Sequence, residues 1–456
     1  MNRKKFLKFS IYFAFFALLL GGVWGQTTCT WTGANGTDWD DVGNWDNGLP
    51  ALDNEPSIPV VASNWPSTFN TSMPTGWTSL TIDNGAQATI PVEISINSIT
   101  NNGDLTLDAN ITLSGSLTGT GTVSAGATTL TVSGDFAVNS FSAGTSTVNL
   151  GGTGTVSAHS FATLNITGGT RTLTGDVTAQ TFSSATGTNI AGAHNLIING
   201  NAVFGGTAGS GTALASLSVS GTSAINTTAI TTAGTQTYTG AVTLGGDVVL
   251  TADSGSASSD IEFGSDLNGG SKSLTVDGNL AFTNASPSVT NLSTLVFTGN
   301  NAQTFNPGGA SFSNLTFTTT NTITLTDAMT VTENVTVNGA GAVLAFGSND
   351  FSQATGKSFT IINGSVTAGT GKFVVGILSV DSGCSFTQTG NNVTNTQSAE
   401  SISGDGAINW DNDDDGGTLE LAASTASNIN FHHKAVTISS ASITLSGIFY
   451  DLIVPV

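Results

Sequence analysis

Leu292-Ser293-Thr294-Leu295-Val296-Phe297 and Phe312-Ser313-Asn314-Leu315-Thr316-Phe317 are two copies of one phrase: an apolar residue, two variable ones, leucine, a variable one, and a second apolar residue. The phrase returns at Trp77/Leu80/Ile82, Phe161/Leu164/Ile166 and Phe449/Leu452/Val454. Its second half alternates with period two, the mark of a strand with one buried face. A single strand-and-turn unit cannot bury that face alone. Copies must stack and share an interior, which predicts an all-β chain built as a parallel β-solenoid, or β-helix.

Composition agrees. Glycine fills 57 of 456 positions and charged residues only 9%, while Thr, Val, Ile, Leu and Phe alternate with Asn, Ser and Gly. That mixture suits half-buried strands separated by tight turns. Disorder is the rival for so much Gly and Ser. It fails because 38% of the chain is apolar and falls in alternating strings such as Val331-Thr332-Glu333-Asn334-Val335-Thr336-Val337. Helical spacing is almost absent after the first 25 residues. The interval Leu295 to Leu315 is 20 residues, Leu164 to Leu217 is 53 and Leu217 to Leu295 is 78, which predicts a coil of about 20 to 26 residues with degenerate copies. An array of β-sandwiches is the competitor. It should carry a buried Trp or Tyr in each domain, and after residue 77 the chain has only Trp410, Tyr238 and Tyr450.

Residues 1–25 read as an export signal: Arg3, Lys4, Lys5 and Lys8, then the apolar run Ile11 to Leu20, then Gly21, Gly22 and Gly25. The apolar run is shorter than a spanning helix needs, and no integral membrane domain is visible elsewhere. Removing the segment takes four of the nine basic residues and no acid. The formal charge falls from −21 to −25, with 30 acids against five bases. Arg171, Lys272, Lys357, Lys372 and Lys434 stand singly, which excludes nucleic acid as a partner. Anionic membrane surfaces are unattractive for the same reason. Acidity of this kind keeps exposed chains soluble and apart. Cys29 and Cys384 are expected not to pair: at about 4.8 Å per coil they would lie roughly 70 Å apart along a straight stack.

Residues 26–100 hold Trp31, Trp39, Trp45, Trp65 and Trp77, with Pro50, Pro56, Pro59, Pro66, Pro74 and Pro91. A solenoid needs an end unit to cover its first coil, and bulky aromatics on irregular backbone supply one. The alternative use of these tryptophans is as a carbohydrate-stacking platform, with Trp39 and Trp45 as its candidate residues.

The run from Thr30-Trp31-Thr32-Gly33 through Asp38-Trp39, Asn44-Trp45 and Gly48-Leu49-Pro50, followed by Ile58-Pro59, resembles the opening segment of large bacterial secreted β-strand-repeat proteins, including autotransporter-passenger-like and adhesin-like surface proteins. The resemblance covers about twenty-five residues, and beyond them it is one of style, as at Asp176-Val177-Thr178 and Gly278-Asn279-Leu280. It implies a β-solenoid carried outside the cell in an adhesive or structural role, and it transfers no catalytic residues. The partners it implies are a host or matrix glycan, a protein receptor or neighbouring surface proteins. Such proteins usually end in a membrane barrel or sorting domain, whereas Leu452 to Val456 stops within a repeat, so the chain reads as a fragment of a longer protein, the alternative being a last coil covered by another chain.

Few residues suggest chemistry. Asp411, Asp413 and Asp415 alternate in a short acidic stretch closed by Gly416, a pattern able to point three carboxylates at one calcium ion. The bidentate Glu that would complete such a loop is replaced by Ala422, and a solvated acidic turn is the plain alternative. His432 and His433 are consecutive and would face opposite sides of a strand, so they cannot share a metal. His159 and His194 read as surface or turn residues, and the glycines between Gly115 and Gly121 as turn glycines. β-Solenoids also carry polysaccharide-degrading sites, but those need converging carboxylates, and here the acids are dispersed one per turn. The resulting division is an export segment at 1–25, an aromatic cap with the first coils at 26–100, solenoid repeats at 101–400, and an acidic loop with the last coils at 401–456. The expected role is that of a secreted or surface protein without catalytic activity.

Overall fold

The computed structural model describes residues 28–50, 54–61, 64–69, 77–252, 260–388, 397–412, 419–424, 429–433, 436–438 and 452–453, with side chains described up to residue 409 except that of residue 397. The chain is nearly all β and winds as parallel stacked coils, about 16 turns of a β-solenoid. Its backbone falls into two compact units, one running to Ser124 and including Val138–Ser140, the other formed by Ala125–Ala137 and the chain from Phe141 onward. No helix among the described residues is long and apolar enough to cross a membrane.

In the first unit, Thr28–Thr30 pairs in parallel with Glu55–Ile58, and that strand pairs with Ser79–Ile82. The ladder continues through Ser98–Asn101 to Leu117–Ser124. A second ladder joins Gln87–Ile90, Asp104–Leu107 and Leu117–Ser124, and a third joins Ile94–Ile96 to Ile111–Leu113. Leu80, Ile82, Ile99, Leu105, Leu107 and Val123 take the inward positions and are buried. Each such side chain contributes about 1.5–3 kcal/mol by leaving water. Gly119 and Gly121 lie inside Leu117–Ser124 and not in a turn: that strand rounds a corner at Gly119, whose φ is 127°. A Cβ at either glycine would meet the carbonyl of Asn101 or Gly103 at 2.0 Å, so only glycine lets the corner stack on the coil before it.

The second unit shows why a coil has three faces. Leu164 belongs to a ladder that runs Leu130, Val148, Leu164, Phe182, Ala202, Ser223, Val242, Leu267. Leu217 belongs to another, running Leu196, Leu217, Gln236, Ile261, Leu280, Phe305. Leu295 belongs to a third, running Val248, Leu274, Leu295, Leu315, Val335, Phe359. The expected coil length is corrected accordingly. Leu164, Leu217 and Leu295 are not successive copies of one position, and the coils of this unit range from 16 residues, where Val148 meets Leu164, to 26, where Leu250 meets Val276.

Register also aligns rings. Tyr238, Phe263 and Phe282 follow one another with centroids 5.5 and 5.3 Å apart, and Phe297 stacks on Phe317 at 5.3 Å. These spacings sit a little above the separation of neighbouring strands, so equivalent rings on successive coils touch without distorting the ladder.

Candidate functional site

The tryptophan segment packs inward. Trp31, Trp39, Trp45 and Trp77 are 1–4% exposed, with neighbouring ring centroids 5.1 to 6.3 Å apart, and Phe69 stacks on Trp39 at 5.7 Å. A buried indole must place its N–H, and all four do so on backbone carbonyls: Trp31 on Asn64 at 3.0 Å, Trp39 on Thr89 at 2.9 Å, Trp45 on Trp39 at 3.0 Å and Trp77 on Pro50 at 3.2 Å. The cluster ties segments far apart in sequence to one point in the first unit. In this arrangement neither Trp39 nor Trp45 has an open face on which a sugar could stack. Beside the cluster, Asp41 accepts from the Gly43 N–H and starts the short 3-10 turn Val42–Asn44. The Asp38 carboxyl is raised above the usual carboxylate range, chiefly by the hydrogen bond it shares with that of Asp40.

Of the three aspartates weighed for calcium, Asp413 and Asp415 lie outside the described residues. The backbone of Asp411 belongs to Ala407–Asn412, where it pairs with His432, and its side chain is outside the described residues. Among the described residues, no group of three His, Cys, Asp or Glu side chains is placed to hold a metal ion.

The second unit holds a charge where none was expected. Arg171 is fully buried and stands in register with Gly154 on the preceding coil. Its guanidinium passes that glycine and donates to carbonyls two coils back: Nη1 to Gly134, and Nη2 to Val132 at 2.9 Å and Ser133 at 3.1 Å. Desolvation pulls the guanidinium down to about 10, partly offset by Asp135. Asp135 is held below the usual carboxylate range, first by the Thr155 N–H at 2.7 Å and then by the Thr155 hydroxyl at 2.9 Å. Period two could have revealed the burial: Arg171 and Leu173 share a strand face, and Leu173 is in the core.

His159 needs a correction of the same kind. It is 8% exposed, in phase with Phe161, and its ring meets Phe136, Phe141 and Phe161 with centroids 5.4, 6.0 and 6.2 Å away. Nε2 lies 2.8 Å from the Ser157 hydroxyl, which is also 3.4 Å from the Phe136 carbonyl. A serine and a histidine in contact suggest nucleophilic chemistry, but here the pair fills an aromatic corner and the ring is packed like its phenylalanine neighbours. His194 is a half-exposed turn residue, 3.8 Å from Asp176.

Five of the dispersed acids share a task. Asp135 accepts the N–H of Thr155, Asp176 that of Asn195, Asp247 that of Ser273, Asp266 that of Ser288 and Asp350 that of Lys372. Each acceptor lies one coil before its donor. Asn201, Asn279 and Asn314 do the same for Thr222, Thr304 and Asn334. These side chains replace the backbone carbonyls that turns misdirect, so the ladder stays paired between strands. Cys29 and Cys384 are both buried free thiols, and the Cys29 Sγ lies 2.8 Å from the Gly48 carbonyl.

Fold and arrangement together define a parallel β-solenoid in which several Asp and Asn side chains and Arg171 join one coil to another. No protein-family model, curated protein or solved structure matches this chain.

Proposed function

We propose that the chain is exported and works at the bacterial cell surface, or beyond it, as a structural or adhesive β-solenoid without catalysis of its own. The observation that carries this reading is the use made of five of the acids: Asp135, Asp176, Asp247, Asp266 and Asp350 each accept a backbone N–H of the next coil. A hydrolytic or lyase site on stacked coils would need several of them on one face. Outward strand positions carry Thr, Ser and Asn, as in the row Thr129, Thr147, Thr163, Thr181, a surface suited to standing in water. The basic start and apolar run at residues 3–20 support export, and the partner would be a glycan, a protein receptor or a neighbouring surface protein.

Protease treatment of intact cells producing the full chain, followed by blotting with antibody to the second unit, tests the address. Loss of signal from intact cells is expected, and a chain cleaved only after lysis would contradict the proposal. Binding of the purified chain to arrays of glycans and matrix proteins then separates an adhesive role from a purely structural one.

A further inference from the structure

The strand Thr28–Thr30 has two edges. Cys29 and Trp31 turn their backbone groups toward Glu55–Ile58, as in the 2.9 Å bond from the Trp31 N–H to the Ser57 carbonyl. Thr28 and Thr30 therefore turn theirs the other way. An open parallel edge is a template for any extended strand, above all an edge strand from a second copy of the same chain.

The chain fills this edge from within. After the turn Val42–Asn44 it runs back past the strand in the antiparallel sense, bridging Trp31 with Trp45. The Thr30 N–H donates to Asp46 Oδ1 at 2.8 Å, and the Asp46 N–H donates to the Thr30 carbonyl at 3.0 Å. Asn47 Nδ2 donates to the Thr28 carbonyl at 3.1 Å. One residue thus supplies the donor and the acceptor of a neighbouring strand, and the next satisfies the remaining carbonyl. The segment does not extend the sheet: the Trp45 N–H returns to Val42, and Gly48, with φ of 78°, turns the chain away. Trp45, packed among the other tryptophans, anchors the segment.

We infer that Asp46 and Asn47 form an end-stop that prevents the edge of Thr28–Thr30 from pairing with a strand of a second copy. The inference rests on the fold and is independent of the proposed surface role. A single loop residue completes the hydrogen bonds of Thr30, and its carboxylate stands where an incoming strand would lie.

The test compares the purified chain with Asp46→Asn, Asp46→Ala and the double variant Asp46→Ala/Asn47→Ala by sedimentation velocity, with hydrogen exchange at the Thr30 amide and thermal melting as controls. The alanine variants should keep a cooperative melt, lose Thr30 protection by on the order of tenfold or more, and sediment as assemblies that grow with concentration. Asp46→Asn keeps the acceptor and should behave as the parent. Adding Thr30→Pro to the double variant removes the freed N–H and should restore the monomer. A folded double variant with an exchanging Thr30 that stays monomeric overturns the inference. So does a parent chain that already assembles through this edge, and so does failure of both alanine variants to fold, which would make the segment a requirement for folding and not a guard.

Discussion

Arg171 lies against Gly154 so closely that a Cβ on the glycine would come within 2.9 Å of the Arg171 Nη1. The missing side chain is what opens the path by which the guanidinium reaches the carbonyls of Val132 and Ser133 two coils back. Three coils are therefore tied along the stacking direction by one side chain, in addition to their ladder bonds. Replacing Arg171 by Ala removes charge-assisted hydrogen bonds worth about 1.5–3 kcal/mol each and leaves a cavity, so the urea midpoint of the second unit should fall markedly. Arg171→Lys should recover only part of the loss, because a compact ammonium does not reproduce the planar fork that divides Nη1 and Nη2 among the carbonyls.

Gly154→Ala should also destabilise, by roughly 1–3 kcal/mol, since the new methyl would meet the Gly134 carbonyl carbon and oxygen at 2.7 Å as well as the guanidinium. In a double-mutant cycle the two changes should be less than additive, because removing the arginine frees one side of the crowded site. Strict additivity in the unfolding midpoints would mean that the two residues do not share the site.

Acid should loosen the stack. The folded-state carboxyls of Asp135 and Asp176 lie below their usual range because Thr155 and Asn195 donate to them, so their contribution is complete above the unfolded Asp value of about 3.9 and is lost as pH falls through the folded values. Asp38 is shifted upward by Asp40, so its contribution runs the other way, favouring the fold in acid and fading as pH rises. Melting curves of the parent and of an Asp135→Asn/Asp176→Asn variant, recorded from pH 6 downward (about the range where carboxylates titrate), should show a steeper acid loss for the parent. Amide acceptors do not titrate, and parallel curves would remove these two brackets from the explanation.

Trp39→Ala and Trp45→Ala should each cost about 3–5 kcal/mol in the first unit, the range for deleting a large buried ring. Acrylamide quenching of the parent should be weak for the buried indoles and rise sharply in both variants. Efficient quenching in the folded parent, together with glycan binding lost on substitution without unfolding, would instead mark these rings as a sugar platform.

The strands could be read directly from alternation, because the same apolar-x-x-Leu phrase that opens at Leu292 is a buried strand edge to edge with its copy: Leu295 pairs with Leu315. The coil period was harder to read. All three faces use the same small alphabet of Leu, Ile, Val, Phe, Thr and Ser, so Leu164, Leu217 and Leu295 look alike in sequence while standing in three different ladders. Arg171 and His159 hid because their residue types suggest surface, although the phase of Leu173 and Phe161 places both inside. The turn acids were visible as dispersed. Their partners were not, since each donor is a backbone N–H some 19 to 26 residues away, as for Asp176 with Asn195 and Asp247 with Ser273, and carries no signature of its own.

In-register parallel stacking is tested most directly by spin labels on one outward row of the second unit, where Thr316 pairs with Thr336, Thr336 with Thr360 and Thr360 with Ser379. Cysteines for labelling at Thr316 and Thr336 should give contact-range dipolar broadening, and at Thr316 and Ser379, three coils apart, a separation of about 15 Å between attachment points, from roughly 4.8 Å per coil. Broadening absent from the first pair, or a second pair no farther apart than the first, would contradict a solenoid.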